Sequence, residues 1–180
     1  MSRRFGSDKA EAVFEGRSLL HRTATALHPH CDMVAIVGRK VSGWPGIEDW
    51  PEPGMGPLGG LAGALAHAAG HEFAQVLSVP VDCIFLPPDI RGLLEPAPAY
   101  LESQPVIGLW PVVARARLEH MLTEGDKRAV RAFVERIGAR AVATRFAPPN
   151  VNTPDDLAQL PRAAPASAVT SEDLADAATR

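Results

Sequence analysis

The first stretch of the chain with side chains suited to chemistry is Ser2-Arg3-Arg4-Phe5-Gly6-Ser7-Asp8-Lys9. Guanidinium groups bind phosphate oxygens in pairs, a lysine adds a compact positive charge, and a glycine allows the backbone to approach a ligand closely. This combination is typical of a loop that binds a polyphosphate. A short basic amino terminus is also typical of a solvated end or a targeting segment, so both interpretations stay open for this stretch alone.

Two other features are suited to the same kind of ligand. Asp82 follows the apolar run 73–79, and a carboxylate at a strand end suits a hard cation such as Mg²⁺, which keeps waters that substrate phosphates can replace. The stretch Gly56-Pro57-Leu58-Gly59-Gly60 has glycines where a helix begins, and these would permit close approach of an anion. The alternatives are a turn residue at Asp82 and an ordinary loop-to-helix connection at 56–60.

The elements that must position these residues follow from hydrophobic periodicity. Helical spacing predicts helices over 17–27, with Ser18 as its cap, and over 57–69, 88–94, 114–122, 127–137 and from Thr153. Apolar runs predict strands over 33–37, 73–79, 106–113 and 139–144, the first of them buried on both faces. The proline-containing stretch 95–104 is predicted to be irregular.

This alternation predicts an α/β fold: an open, mostly parallel, Rossmann-like sheet flanked by helices. Ligands of such sheets bind beyond the carboxyl ends of the strands. Asp49, the glycines of 56–60 and Asp82 all follow predicted strands, so we expect them at that edge.

Composition limits the class of protein. With 180 residues, of which 46% are hydrophobic, the chain is suited to one domain, predicted over 1–160, followed by a flexible tail over 161–180. The net charge of -3 argues against a nucleic-acid partner. No run approaches the roughly 18 apolar residues of a membrane helix. Cys31 and Cys83 lack metal-site spacing, which predicts buried thiols and a cytoplasmic protein.

Several motifs together resemble a known family. Residues 2–9 resemble the second half of the signature loop of sugar-nucleotide-like nucleotidyltransferases, in which a Leu-Ala-Gly-Gly turn precedes an arginine and an Asp-Lys pair. Four further motifs follow in the order found in the molybdenum cofactor guanylyltransferase family: Gly56-Pro57-Leu58-Gly59-Gly60-Leu61, Val79-Pro80-Val81-Asp82, Gly108-Leu109-Trp110-Pro111 and Asn150-Val151-Asn152-Thr153-Pro154-Asp155-Asp156-Leu157. The last two distinguish this family from other nucleotidyltransferases. The resemblance extends from Ser2 to about Leu160.

The resemblance implies transfer of GMP from GTP to the terminal phosphate of molybdenum-molybdopterin, with release of pyrophosphate. It also implies Mg²⁺ as cofactor and a molybdoenzyme or its chaperone as a possible partner. The residues it assigns are Arg4 and Lys9 for the triphosphate, Asp82 for Mg²⁺, Asp49 and Gly59 for the nucleotide, and Asn150 and Asn152 for the acceptor. An Asx turn at the last helix is the alternative for the two asparagines.

The sequence departs from the family at two places. Family members begin with a central strand and the Leu-Ala-Gly-Gly turn, whereas this sequence starts at Met1, so the predicted sheet lacks the family's first strand. A second gap falls between Leu94 and Gln104, where the family has a further strand. Three alternatives follow: an active guanylyltransferase with further residues upstream of Met1, a non-catalytic relative that binds nucleotide, cofactor or a molybdoenzyme, and a cytidylyltransferase of the same fold.

Overall fold

The computed structural model describes residues 8–124, 129–144, 151 and 153–159. The helices are α1 (Leu19–Leu27), α2 (Gly56–Gly70), α3 (Ile90–Leu94), α4 (Arg115–Thr123), α5 (Val130–Ile137) and α6 (Pro154–Ala158). The strands are β1 (Val13–Phe14), β2 (Arg17–Ser18), β3 (Ile36–Val37), β4 (Gly46–Ile47), β5 (Gln75–Ser78), β6 (Ala99–Leu101), β7 (Gln104–Pro111) and β8 (Arg140–Val142).

The largest sheet has the strand order β5-β7-β6-β8. Strand β7 is antiparallel to both of its neighbours, and β6 is parallel to β8. Three of the four strands therefore run in one direction, and the predicted α/β fold with a mostly parallel sheet is confirmed. Strands β3 and β4 form a separate parallel pair, and β1 and β2 form a small antiparallel hairpin.

Apolar side chains pack on the sheet in two main clusters. One joins α2, α4 and α5 around the buried rings of Trp110 and Phe133, and the other joins α3 to inward-facing residues of β6, β7 and β8. The Trp110 indole N–H donates to Ser78 Oγ at 2.8 Å. A Cβ at Gly108 would overlap the Trp110 ring, so this close packing requires the glycine of the Gly-Leu-Trp-Pro motif.

The local helix signals of the sequence are confirmed. Ser18 Oγ accepts from the His21 N–H at 3.2 Å and caps α1. Thr153 and Asp156 form a reciprocal capping box at the start of α6, with distances of 2.9 and 3.1 Å. These signals depend on residues a few positions apart, so the sequence alone is sufficient to show them.

Two expectations were wrong. The stretch predicted as irregular contains β6, which is hydrogen-bonded to β7 on one side and β8 on the other. Its two prolines precede the strand, where no ladder N–H is needed, and three residues are too few to show a period. The run 33–37 was expected to be buried on both faces, but its residues are only partly buried, as are those of β5.

The partial burial arises from a gap between two strand edges. Among the described residues, no backbone hydrogen bond joins β3 to β5. A cavity of about 600 Å³ lies between them, lined by residues 31–37 and 73–81 and by side chains of α1 and α2. We call this cavity the slot.

None of the described helices is both long enough and apolar enough to cross a lipid bilayer.

Candidate active site

The carboxyl ends of β3 and β5 meet at one mouth of the slot, and a short turn bridges them. This turn, Lys9–Glu11, is preceded by Asp8, whose Oδ1 accepts from the Ala10 N–H at 3.1 Å. On one side, Arg39, just after β3, donates to both Asp8 oxygens at 2.7 and 3.1 Å. On the other side, Lys9 Nζ donates to Asp82 Oδ2 at 2.6 Å. Lys9 and Asp82, which the family resemblance assigns to the triphosphate and to Mg²⁺, are therefore in direct contact.

The Lys9–Asp82 ion pair is well shielded from water, with side chains only 12% and 15% exposed. The second oxygen, Asp82 Oδ1, is buried and has no hydrogen-bond partner among the described residues. A buried carboxylate oxygen without a partner is costly unless another group binds it. This oxygen is thus available to a cation.

A divalent cation fits this carboxylate, although the protein ligands are few. The described residues contain no group of three or more His, Cys, Asp or Glu side chains that could hold a metal ion. Mg²⁺ does not need such a group, because it is commonly held by one or two carboxylates and completed by waters and substrate phosphates. Asp82 therefore fits a metal that arrives with a triphosphate.

Asp82 is held in place by the turn that follows β5. The Cys83 N–H donates to the Pro80 carbonyl at 3.0 Å, and the hydroxyl of the buried Thr23 on α1 donates to the Val81 carbonyl at 3.0 Å. Burial, together with the smaller effect of the charge of Asp82, raises the pKa of the Cys83 thiol to about 12. Cys83 therefore stays a neutral thiol next to the carboxylate.

Thr23→Val is expected to destabilise the protein by about 1–2 kcal/mol, because the isosteric valine leaves the Val81 carbonyl without its buried donor. Urea unfolding followed by circular dichroism measures this. Thr25→Val on the same helix is the control: its exposed hydroxyl bonds only within α1, and the expected change is below about 0.5 kcal/mol. Equal effects of the two variants would contradict the role of Thr23.

Asp49 and the glycines of α2 lie at the same mouth. Asp49 Oδ2 accepts from the Gly54 N–H at 3.0 Å, and Oδ1 lies beside Gly38 and Gly60. Gly59 is buried, a Cβ there would overlap Met55, and its carbonyl accepts from the Trp50 N–H at 3.0 Å. Asp49 and Gly60 line the slot, whereas Gly59 fixes the preceding loop against α2.

Arg39 is the site residue that sequence reasoning missed. Its position directly after a predicted strand was a usable signal, since the carboxyl ends of strands carry the ligand-binding groups of this fold class. The hydrogen bonds from Arg39 hold the pKa of Asp8 below its ordinary value of 3.8. The pair is therefore intact at neutral pH and is lost only as pH falls through this lowered pKa.

Arg39→Gln is expected to lower kcat/KM for the nucleotide by about tenfold, because the Lys9 turn loses its fixed attachment to β3. Steady-state kinetics at neutral pH measures this. Arg115→Gln, which breaks an ion pair on α4 away from the mouth, should leave kcat/KM unchanged. A normal value for Arg39→Gln would show that the turn is positioned without it.

Three of the predicted site residues, Arg4, Asn150 and Asn152, lie outside the described residues. Their assignments to the triphosphate and to the acceptor stay predictions.

The chain is similar to a known domain family and to several proteins of one named activity. Residues 1–144 match the family model of the MobA-like NTP transferase domain. The molybdenum cofactor guanylyltransferase of Rhizobium leguminosarum bv. trifolii (strain WSM2304) is 35% identical, over 89% of this chain and 87% of the relative. That of Bradyrhizobium sp. (strain ORS 278) is 34% identical, over 88% and 86%.

Among solved structures, molybdopterin-guanine dinucleotide biosynthesis protein A from Archaeoglobus fulgidus superposes with a TM-score of 0.71 at 22% identity, covering 88% of this chain and 91% of the other. This likeness confirms the fold.

The fold and the domain match define an α/β nucleotidyltransferase. Enzymes of this class that use GTP generally use a divalent metal. More narrowly, the chain belongs to the molybdenum cofactor guanylyltransferase family.

Proposed function

We propose that this protein transfers GMP from GTP to the terminal phosphate of molybdenum-molybdopterin, which forms the guanine dinucleotide cofactor and releases pyrophosphate. The observation that carries the proposal is the shielded Lys9–Asp82 pair at the carboxyl ends of the strands. It lies in a chain that aligns over 89% of its length with a molybdenum cofactor guanylyltransferase.

The reaction is a displacement at phosphorus. A phosphate oxygen of the molybdopterin bonds to the α-phosphorus of GTP, the bond from that phosphorus to the bridging oxygen breaks, and pyrophosphate leaves. Two anions must approach each other, so positioning and positive charge contribute most of the catalysis. Lys9 supplies such a charge at the mouth, and the turn fixed by Arg39 holds it there.

Asp82 is the residue that would hold the cation, which we take to be Mg²⁺. Mg²⁺ bound there would neutralise charge on the triphosphate. The buried, unpartnered Oδ1 of Asp82 supports this assignment, and Lys9 occupies the other oxygen.

Asp49 is the candidate residue for recognising the guanine base of GTP. An ionised carboxylate only accepts hydrogen bonds, and guanine presents adjacent N–H donors on its Watson–Crick edge, whereas cytosine places an acceptor beside its single donor group. The position of Asp49 beside the start of α2 supports this role, with Gly59 holding the loop and Gly60 leaving room. The family resemblance supplies the remaining assignments of the proposal. It assigns Arg4 to the triphosphate, and Asn150 and Asn152 to the acceptor.

The destination of the product, a molybdoenzyme or its chaperone, also rests on the resemblance. The free thiols of Cys31 and Cys83 support a reducing compartment such as the cytoplasm.

The test is pyrophosphate release by the purified protein with Mg²⁺, molybdenum-molybdopterin and either GTP or CTP. We expect release that depends on both Mg²⁺ and acceptor, with GTP preferred by at least about tenfold, the discrimination that a carboxylate reading the base would give. Equal turnover of CTP would contradict the guanylyl assignment. No release with either nucleotide would favour a non-catalytic relative.

A further inference from the structure

We propose that Arg22 on α1 is a positioning residue for the Lys9–Asp82 pair, because it attaches to α1 the β1–β2 hairpin that follows the Lys9 turn. The inference deepens the proposed function and rests on it for the catalytic consequence. The other consequence, the strength of the ion pair itself, can be measured without any substrate.

The Lys9 turn leads directly into the hairpin, and main-chain hydrogen bonds close the connection. The Ala12 N–H donates to the Lys9 carbonyl at 3.2 Å, and the Ala12 carbonyl accepts from the Leu19 N–H, at the start of α1, at 2.9 Å. Ala10 inside the turn is buried, and the turn packs against α1. The position of the Lys9 main chain therefore depends on how the hairpin lies on α1.

Arg22 attaches the tip of this hairpin to α1 through three acceptors. Its Nε donates to the Phe14 carbonyl at 2.6 Å, and its Nη2 donates to the Glu15 carbonyl at 3.1 Å and to Glu15 Oε2 at 2.9 Å. The guanidinium carbon also lies 4.9 Å from the centre of the Phe14 ring, within the range of a cation–π contact. A planar guanidinium can hold several acceptors at once, so Arg22 fixes both the position and the orientation of the tip.

The tip needs such a contact because of its backbone conformation. Glu15 has a φ of 47° and Gly16 a φ of 77°. Glycine adopts positive φ at little cost, whereas a residue with a Cβ such as Glu15 is strained there and persists only when its surroundings hold it. The two contacts of Arg22 to Glu15 supply that support.

The residue next to Arg22 holds the other half of the ion pair. Thr23 donates to the Val81 carbonyl at 3.0 Å and so fixes the turn that carries Asp82. Arg22 and Thr23 are neighbours on one helix. Consequently α1 supports both the Lys9 turn and the Asp82 turn, and it sets the distance between them.

Apolar packing keeps the hairpin on the protein even without Arg22. The rings of Phe14 and Phe85 meet edge to face with centres 6.4 Å apart, and Phe14 belongs to a buried cluster with Leu19 and Ile84. Loss of the Arg22 hydrogen bonds should therefore loosen the alignment of the hairpin rather than unfold it. This makes a kinetic test possible.

The alignment matters because Lys9 and Asp82 belong to segments 73 positions apart in the sequence. A displacement of about 1 Å at a catalytic group can lower a rate by about 10²-fold. Arg39 holds the Lys9 turn from the side of β3, through Asp8, whereas Arg22 holds it from the side of α1. The two arginines are thus separate supports of the same lysine.

The kinetic test is Arg22→Met, which keeps the apolar length of the side chain and removes its donors. We expect kcat/KM for GTP in pyrophosphate release to fall by about tenfold. In the Lys9→Met background the same substitution should lower kcat/KM by less than about twofold, because Arg22 acts through Lys9. A tenfold loss in both backgrounds would overturn the proposal, since Arg22 would then act by another route.

The test without substrate is the coupling free energy between Lys9 and Asp82, measured by urea unfolding of Lys9→Met, Asp82→Asn and the double variant. Repeating this cycle with Arg22→Met present should at least halve the coupling, because the two charges are no longer held at one distance. An unchanged coupling would overturn the proposal. A general loss of stability would lower all four free energies of unfolding equally and leave the coupling as it was.

Arg17→Met on β2 is the matched control. Arg17 belongs to the same hairpin, is exposed and makes no hydrogen bond or ion pair to the part of the chain that the structure describes. Its substitution should change neither kcat/KM nor the coupling. Equal effects of Arg17→Met and Arg22→Met would mean that any change of charge in the hairpin suffices, and this would also overturn the proposal.

Arg22→Lys is the milder variant, and it decides the matter if Arg22→Met does not fold. A lysine keeps the charge but not the planar set of donors, so kcat/KM should still fall by at least about threefold, and only when Lys9 is present. Normal activity and normal coupling in Arg22→Lys would overturn the attachment through hydrogen bonds.

The two readouts separate this inference from the proposed function. No pyrophosphate release, together with a coupling that Arg22→Met halves, would reject the proposed function and leave the positioning role intact. Normal release by the unchanged protein, together with no effect of Arg22→Met on either readout, would reject the positioning role alone.

Discussion

We expect the substitution Asp82→Asn to lower kcat for pyrophosphate release by about 10³-fold. The asparagine keeps the size of the side chain but removes the negative charge that would hold the cation, and a preorganised charge in a shielded site contributes several kcal/mol to a phosphoryl displacement. The measurement is a Mg²⁺ titration of steady-state rates. The concentration of Mg²⁺ needed for half-maximal rate should rise together with the fall in kcat.

Glu135→Gln on α5 is the control for this experiment, since its exposed carboxylate is away from the mouth of the slot and its loss should change neither parameter. Full activity of Asp82→Asn would remove the metal assignment. A lowered kcat with an unchanged Mg²⁺ requirement would mean that Asp82 acts only by holding Lys9.

Lys9→Met is expected to have the second-largest effect, a loss of about 10²-fold in kcat/KM, because the charge nearest to Asp82 at the mouth is removed. The same substitution should lower stability by about 3 kcal/mol, since it leaves a shielded carboxylate without its partner. Kinetics and urea unfolding of the same preparation measure the two effects.

The double variant Lys9→Met/Asp82→Asn separates the two effects. It carries neither charge, so its stability should exceed that of Lys9→Met alone, while its activity stays as low as that of Asp82→Asn. Additive losses of stability would mean that the two side chains do not interact in solution. Lys9→Arg keeps the positive charge and should retain most of the stability. This variant therefore distinguishes the effect of losing the charge from the effect of changing the shape of the side chain.

Much of the fold could be predicted from sequence because its signals are local. Ser18 and Thr153 cap the helices they were expected to cap, and the glycine-rich stretch at 56–60 begins α2. Strand β6 was missed because three residues, preceded by prolines, carry no readable period. Its position in the sheet is decided by its neighbours β7 and β8, which lie elsewhere in the sequence.

The candidate site was predictable as a set of residue types and only partly as an arrangement. Asp82 was assigned from its place after a strand, and the structure adds an unpartnered oxygen that no pattern shows. Arg39 and Thr23 were missed because each acts through a residue distant in sequence: Arg39 through Asp8, 31 positions away, and Thr23 through the Val81 carbonyl, 58 positions away.

The sequence by itself determined the helix and strand alternation, the helix caps and the presence of a lysine and a carboxylate suited to a nucleotide and a cation. These follow from the chemistry of single residues and from spacings within one turn or one strand. Only the tertiary structure decided that Lys9 contacts Asp82 across 73 positions, that Arg39 holds the Lys9 turn, and that β3 and β5 face each other across the slot. Such contacts depend on how helices and strands pack in the tertiary structure. The side chains in contact belong to elements far apart in the sequence, and no local sequence pattern shows that these elements lie next to each other.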